Sequence, residues 1–374
     1  MLSGEMASDA EILVVGAGIA GLSAARALCL AGRRVEVIER ASEWSIEGSG
    51  LGLYPNAMQA LHALGLADEV RASGHEVRAG RYFDRRGNLL GEAAPPWTGL
   101  DQPNIELRRR SLHDVLIRGV EAPIRMGTTV TQLERVADEV VVTLSDQTTA
   151  TYDLVIGAEG VRSTTRAFVA PVEARYLGQM FWRGLVEQPC GVDDITVWMA
   201  RSRYFGITPV GDGGTRWFAQ LGVEKPLTSE QGTYERLQEA FADFCEPLPE
   251  ILKVIGTQQQ LHCGPAMSVD SPRWHDRRVL LVGDAAHALS PISGQGAAMA
   301  FEDAVVLAEE LAGTCDLESS LASFERRRRT RIEALRQRVA NRVARATGGT
   351  ETQTSEPFSP DPWSDQASLL STPY

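Results

Sequence analysis

The chain has very little lysine: Lys225 and Lys253 stand alone among its basic residues, which are otherwise arginine. Cysteine is sparse as well. Cys29, Cys190, Cys245, Cys263 and Cys315 form an odd set with no CxxC pair and no histidine at metal-ligand spacing, which argues against a disulfide framework or a zinc site. Buried reduced thiols and a cytoplasmic location are the expectation. No uninterrupted apolar run is long enough to span a bilayer. The apolar stretch after Ile12 is broken by glycines and preceded by Glu5, Asp9 and Glu11 in place of basic residues, so it does not read as a secretory signal. A formal net charge of -12 excludes general attraction to nucleic acid or anionic lipid. Ser-His-Asp, Cys-His and paired-carboxylate constellations are also missing, and no internal repeat is evident. The 374 residues are enough for two to three domains around large cores.

What the chain has is a pair of glycine-rich signatures far apart. The first, Gly16-Ala17-Gly18-Ile19-Ala20-Gly21, follows the apolar run Ile12–Val15 and precedes a helical pattern from Leu22 to Ala31. This is the order strand, tight turn, helix. Gly16 permits the turn, Gly18 lets backbone approach a pyrophosphate, and Gly21 allows close packing of helix on strand, while the helix N-terminus offers free N–H groups to the anion. A second strand, Val35–Ile38, ends at Glu39 and Arg40, and a carboxylate at Glu39 accepts ribose hydroxyls and disfavours a 2'-phosphate. The second signature, Gly283-Asp284-Ala285-Ala286-His287, follows another buried strand, Arg278–Val282. The first signature alone leaves NAD and FAD open; the pair points to a flavin.

Between these signatures the pattern changes. A glycine-rich loop, Gly48 to Pro55, interrupts the first unit before a helical stretch from Asn56 to Leu64. Strands are expected around Thr128 to Leu133, where Val130 is a cofactor-binding candidate, and at Val140 to Leu144 and Tyr152 to Gly157. From Arg175 to Gly222 short β-rich runs are dense in aromatics: Phe181, Trp182, Trp198, Tyr204, Phe205, Trp217 and Phe218. Most of these are expected in the sheet core, the remainder lining an apolar pocket. A helical run from Thr233 to Phe244 follows. Near the end, an arginine-rich helix from Ser319 to Ala346 reads as a solvated face, and the tail after Gly348 reads as disordered, with Trp363, Leu369 and Leu370 available to dock.

The stretch Val14 to Arg40, VVGAGIAGLSAARALCLAGRRVEVIER, resembles the FAD fingerprint of the flavin-dependent aromatic hydroxylases, single-component monooxygenases of the p-hydroxybenzoate hydroxylase type. Arg278 to Ala304, RVLLVGDAAHALSPISGQGAAMAFEDA, resembles that family's second FAD motif. The resemblance implies that Asp284 accepts from the FAD ribitol, that Pro291 lies by the flavin ring, and that Gly294-Gln295-Gly296 open a helix toward its pyrimidine. Arg109 fits the family's cofactor-contacting arginine, with Leu112 and Leu116 behind it, and Gly50 to Ala57, including Gly52, fits the loop passing the flavin. The family's Asp-Gly motif is Glu159-Gly160 here, an extra methylene that bears on nicotinamide docking.

The implied fold is α/β: a Rossmann-like FAD-binding domain with an inserted antiparallel β-sheet substrate domain and a C-terminal helical segment. Its implied division is 1–174 and 273–348 for the FAD-binding domain, 175–272 for the substrate domain, and 349–374 for the tail. The implied activity is hydroxylation of an electron-rich aromatic or related small molecule through a flavin C4a-hydroperoxide, with NADH or NADPH as co-substrate, in a monomer or homodimer. The flavin carries this chemistry, so no catalytic side chain is assigned, and His287 reads as structural. Arg183, Arg203, Tyr204 and Trp217 are the substrate-pocket candidates. The alternative is an FAD-dependent reductase, dehydrogenase or epoxidase acting on an apolar substrate; a flavin halogenase is disfavoured because its WxWxIP segment is absent.

Overall fold

Continuous apolar runs build the centre of the computed structural model, which describes residues 11–44, 49–93, 100–228, 230–257, 261–313, 316–347, 369–371 and 374. Strands Ile12–Val15, Val35–Ile38, Leu154–Gly157 and Val279–Leu281 pair in parallel, with short Ile124–Arg125 at one edge. At the other edge His275–Asp276 turns back antiparallel, completing a six-stranded sheet. Ile12–Val15 and Leu154–Gly157 are buried at every position, as expected of strands covered on both faces. Residues near both ends of the sequence therefore share one sheet. The helix Ile19–Leu30 packs against Gly296–Ala312, the long helix that follows the second glycine signature.

A second, seven-stranded sheet has the order His262–Ser268, Arg175–Val186, Thr215–Gly222, Arg203–Pro209, Ile195–Ala200, Gly80–Asp84, Leu89–Ala93. It is antiparallel except where Ile195–Ala200 pairs in parallel with Gly80–Asp84. Two of its strands thus come from the segment before residue 174, so the boundary expected at 174/175 does not separate two self-contained units. Two three-stranded sheets flank this core: Gly50–Leu53, Asn104–Arg108 and His75–Val77 form one, and Val130–Val136, Glu139–Leu144 and Thr149–Tyr152 the other.

The pleat of the seven-stranded sheet sorts its aromatics. Trp182, Trp198, Phe205 and Trp217 point to one face, where they pack with Leu237, Phe241 and Phe244 and with Leu248, Leu252 and Ile255 of the helix Leu248–Gly256. Phe205 and Trp217 stack with ring centroids 5.9 Å apart, and Phe241 meets Phe205 edge-on at 5.6 Å. Phe181, Tyr204 and Phe218 occupy the opposite face, joined edge-to-face at 6.4 and 6.1 Å. Four of the seven aromatics are therefore core and three line the other face.

The arginine-rich segment is one helix, Leu317–Thr347, and its central arginines are not solvated. Arg328 is fully buried and Arg331 nearly so, correcting the expectation of an exposed basic face. At the chain's end Leu370 is buried, and Arg331 donates to the carbonyls of Leu369 and Leu370, so these residues dock on this helix. The expected disorder of the tail otherwise concerns residues outside those described, as do Gly48, Cys315 and Trp363. Cys29, Cys190, Cys245 and Cys263 are unpaired thiols. Among the described residues no helix is long and apolar enough to cross a membrane, and no cluster of His, Cys, Asp or Glu is arranged to hold a metal ion.

Candidate active site

The first glycine signature forms a tight cradle. Gly16 has φ +104°, and a Cβ there would lie 2.8 Å from the Ala158 carbonyl oxygen; a Cβ at Gly21 would lie 1.8 Å from the Gly16 carbonyl oxygen. Both positions require glycine by contact with backbone, which cannot yield. Gly18 differs: a Cβ there would meet nothing within 4 Å. It borders open space at the start of the helix Ile19–Leu30, where unpaired N–H groups favour an anion. Ile19 and Ala20 form the first helical turn.

Two side chains fix this loop from opposite sides. Glu39 Oε2 accepts from Ala17 N at 2.8 Å and Oε1 from Ala41 N at 2.9 Å, while each oxygen retains a lone pair for a sugar hydroxyl. His113 Nε2 lies 2.9 Å from the Ala17 carbonyl, which can only accept, so Nε2 carries the proton. His113 was not anticipated; its spacing of four from Arg109 on one helix was the available signal. Arg40 is exposed beside Glu39. Val130 is buried, and Thr128 N donates to the Glu39 carbonyl, which brings that segment to the end of the second strand.

The second signature comes to the same place. Gly283 has φ +58°, and a Cβ there would lie 2.7 Å from the Ala20 methyl. Its N–H donates to Asp303 Oδ2 at 2.8 Å. Asp284, next in sequence, is exposed yet surrounded by protein. Desolvation pushes its carboxyl above the ordinary range, against the pull of His287 and Arg109. Arg109 is near enough for its charge to act on that carboxyl. Pro291 is exposed in a single turn capped by Ser290, Gly294 takes φ +64° against the Tyr54 ring, and Gly296 starts the long helix. Gln295 is fully buried; its Oε1 accepts from Asn56 Nδ2 at 3.0 Å and its Nε2 has no partner among the described residues. A Cβ at Gly52 would meet the Glu106 carboxylate at 2.4 Å.

Next to this signature lies a network of buried charges. His287 Nε2 and Arg328 Nε each bond Asp303 at 2.7 Å, and Arg328 Nη1 bonds Glu302 Oε2 at 2.7 Å. Asn56 Nδ2 reaches Glu302 Oε1 at 3.0 Å. Burial alone would raise Asp303, but His287 and Arg328 hold it down to about 2. His287 also packs on Trp274, with ring centroids 4.8 Å apart. Glu159, in the place of the family aspartate, accepts from Ser163 Oγ and Thr164 Oγ1 at 2.6 Å each and from Thr165 N at 3.1 Å, so its longer arm is spent closing its own turn.

The pocket candidates separate by sheet face. Trp217 is buried in the core and Arg203 turns to the same side, bonding Asp243 and lying over Phe244; both face away from Tyr204 and Phe218. Tyr204 and Arg183 point the other way, toward Phe218 and Arg216.

A sequence profile described as the FAD binding domain matches residues 9–339. The 2-heptyl-3-hydroxy-4(1H)-quinolone synthase of Pseudomonas aeruginosa is 34% identical over 335 residues, 87% of this chain and 86% of that protein. The 3-amino-4-hydroxybenzoate 2-monooxygenase of Streptomyces cremeus is 35% identical over 314 residues, covering 80% and 78%. Among solved structures, Klebsiella pneumoniae HpxO complexed with FAD and uric acid superposes with a TM-score of 0.85 at 27% identity, covering 99% of this chain and 94% of that one. The chain belongs to the FAD binding domain family, and within it to the FAD-dependent aromatic hydroxylases. It is an oxidoreductase of the monooxygenase class, with FAD as cofactor and NAD(P)H as the reductant typical of that class.

Proposed function

We propose that this chain hydroxylates an electron-rich aromatic small molecule, holding FAD between its two glycine signatures and the substrate against the Phe181, Tyr204 and Phe218 face of the seven-stranded sheet. The observation that carries this reading is the meeting of Gly283 with Ala20 beside the open space at Gly18. These are two cofactor motifs, remote in sequence, around one cleft.

The residues present suit FAD. The Gly16–Gly21 turn and helix N-terminus suit the pyrophosphate, Glu39 the adenosine ribose, Asp284 and Arg109 the ribitol region, and the N-terminus of Gly296–Ala312 the flavin pyrimidine. When bound, FAD reduced by NAD(P)H activates dioxygen and supplies one oxygen atom to the substrate ring. The protein's own part is to orient that ring, exclude water and place partial positive charge near the cofactor. The aromatic wall serves the first two tasks and the helix N-terminus the third. The seven-stranded sheet is, on this reading, the substrate-binding unit.

The test is a panel of phenols, aminoarenes and N-heterocycles scored for stimulated NAD(P)H oxidation with oxygen uptake, then mass analysis for one added oxygen. Oxygen-independent turnover would instead make the chain a reductase or dehydrogenase.

A further inference from the structure

The peptide unit between Ala17 and Gly18 is gripped on its carbonyl side by a residue outside both glycine signatures. His113 donates from Nε2 to the Ala17 carbonyl at 2.9 Å, while the N–H of Ala17 is taken by Glu39 Oε2 at 2.8 Å. The imidazole is itself held: the Trp44 ring meets it edge-on, with centroids 5.0 Å apart and planes at 73°. His113 lies one turn after Arg109 on the helix Arg109–Gly119, so a single helix reaches the first signature through His113 and acts on Asp284 of the second through the charge of Arg109. At the other end of the same peptide unit, the Gly18 N–H has no hydrogen-bond acceptor among the described residues, and no side chain caps the helix that follows. A trans peptide is planar, with its C=O and N–H pointing in opposite directions. The bond from His113 therefore settles which way the Gly18 N–H faces. Without that bond the unit can turn over, because the motion involves φ of Gly18 and a glycine accepts either sign of φ. Turned over, it presents the partial negative charge of the Ala17 carbonyl in the direction the N–H had, at a helix start that otherwise favours an anion.

We infer that His113 is a positioning residue for FAD: it fixes the Ala17–Gly18 peptide so that the Gly18 N–H is offered to the pyrophosphate of the cofactor. This rests on the placement of the pyrophosphate at Gly16–Gly21 and adds the side chain that orients one of its donors. Glu39 does not duplicate the role. The N–H it accepts from belongs to the preceding peptide unit, Gly16–Ala17, which leaves the following one free to rotate. A donor on the Ala17 carbonyl also polarises the peptide and makes the Gly18 N–H a stronger donor in turn.

The test compares His113→Gln, His113→Asn and His113→Ala as full-length proteins, each freed of flavin and titrated with FAD. Glutamine carries its N–H₂ one bond further from the backbone than asparagine does, at the reach of imidazole Nε2 rather than Nδ1. Loss of the bond should raise the FAD Kd about 3–10-fold in His113→Ala and His113→Asn, while His113→Gln stays within about twofold of the wild type. Phosphorus NMR of the bound FAD reads the pyrophosphate directly. Its resonances should coincide in the wild type and His113→Gln and move in the other two variants, with the flavin absorbance maxima unchanged. A role confined to packing would make the glutamine and asparagine variants equivalent and leave the phosphorus resonances in place; either result overturns the proposal, as does an alanine variant that holds FAD as tightly as the wild type. Should His113→Ala fail to fold, the glutamine and asparagine pair carries the same decision. None of these measurements needs a substrate. A failed substrate panel would therefore sink the hydroxylase reading and leave this inference standing, whereas equal FAD affinity in all four proteins would do the reverse.

Discussion

The position a Cβ would take at Gly283 lies 2.7 Å from the methyl of Ala20, so the two glycine signatures touch across more than 260 residues of chain. Ala20 stands two residues from Gly18, where a Cβ would meet nothing within 4 Å. Gly283→Ala should therefore push the two signatures apart and impose a left-handed backbone on a residue that resists it, at a cost of about 1–3 kcal/mol. The expected outcome is an FAD Kd raised about 5–100-fold, with far-ultraviolet circular dichroism unchanged. Gly32→Ala is the control: it also has positive φ, but a Cβ there meets nothing within 4 Å. Its FAD occupancy should match the wild type; loss of flavin in both variants would mean that backbone strain alone, not the contact, is responsible.

Trp217 and Phe218 are sequence neighbours with opposite duties. Trp217 is 1% exposed and stacked on Phe205, so Trp217→Ala should cost about 3–5 kcal/mol and lower Tm clearly. Phe218 lies on the opposite face with Arg216 over its ring. Phe218→Ala should change Tm much less and weaken binding of aromatic probes instead. Thermal melts and probe titrations on both variants decide the matter; the reverse pattern would exchange the two faces of the sheet and remove the proposed pocket.

That pair also shows what was legible in the sequence. The glycine signatures and Glu39 could be read because their requirements are local: a turn, a close approach, a strand end. The phase of the strand Thr215–Gly222 could not, because both faces carry large aromatics and a shift of one residue exchanges them. Trp217 was thus assigned to the pocket and Phe218 was not. The strands Gly80–Asp84 and Leu89–Ala93 were missed because charged residues and glycine interrupt short alternations. The buried arginines did carry a signal: Leu321, Phe324, Arg328, Arg331 and Leu335 fall at alternating spacings of three and four, which places both arginines on the apolar stripe. Their acidic partners, Glu302 and Asp303, sit on another helix, and tertiary pairing of that kind has no local trace.

The buried network makes an acid-stability prediction. Asp303 is held down to about 2, chiefly by His287 and Arg328 working against its burial. Because the folded value is below the unfolded one, the stabilisation is fully present above the ordinary carboxylate range and is lost as pH falls from about 4 through about 2. Asp303→Asn should lower stability near neutrality by about 3–5 kcal/mol, the usual cost of removing one partner of a buried pair. Its stability should also fall less steeply with acid than the wild type's. Denaturant melts from pH 7 down to the lowest pH that keeps the protein soluble test both points; parallel pH profiles would show that Asp303 is not the group responsible.

Glu39 has two separable roles, one toward the protein and one toward the cofactor. Its oxygens accept from the N–H groups of Ala17 and Ala41, which shapes the turn, and each keeps a lone pair for a sugar hydroxyl. A charge-assisted bond to a sugar hydroxyl is worth about 1.5–3 kcal/mol, so Glu39→Ala should weaken FAD about 10–100-fold. Glu39→Gln keeps one acceptor oxygen but puts a donor N–H₂ against either Ala17 N–H or Ala41 N–H, so it should fall between wild type and alanine. FAD retention on dialysis, read from the flavin absorbance, ranks the three proteins. If the glutamine variant held FAD as the wild type does, the carboxylate charge would be dispensable and only the hydroxyl acceptor would matter; if the alanine variant did so too, the ribose would be held elsewhere.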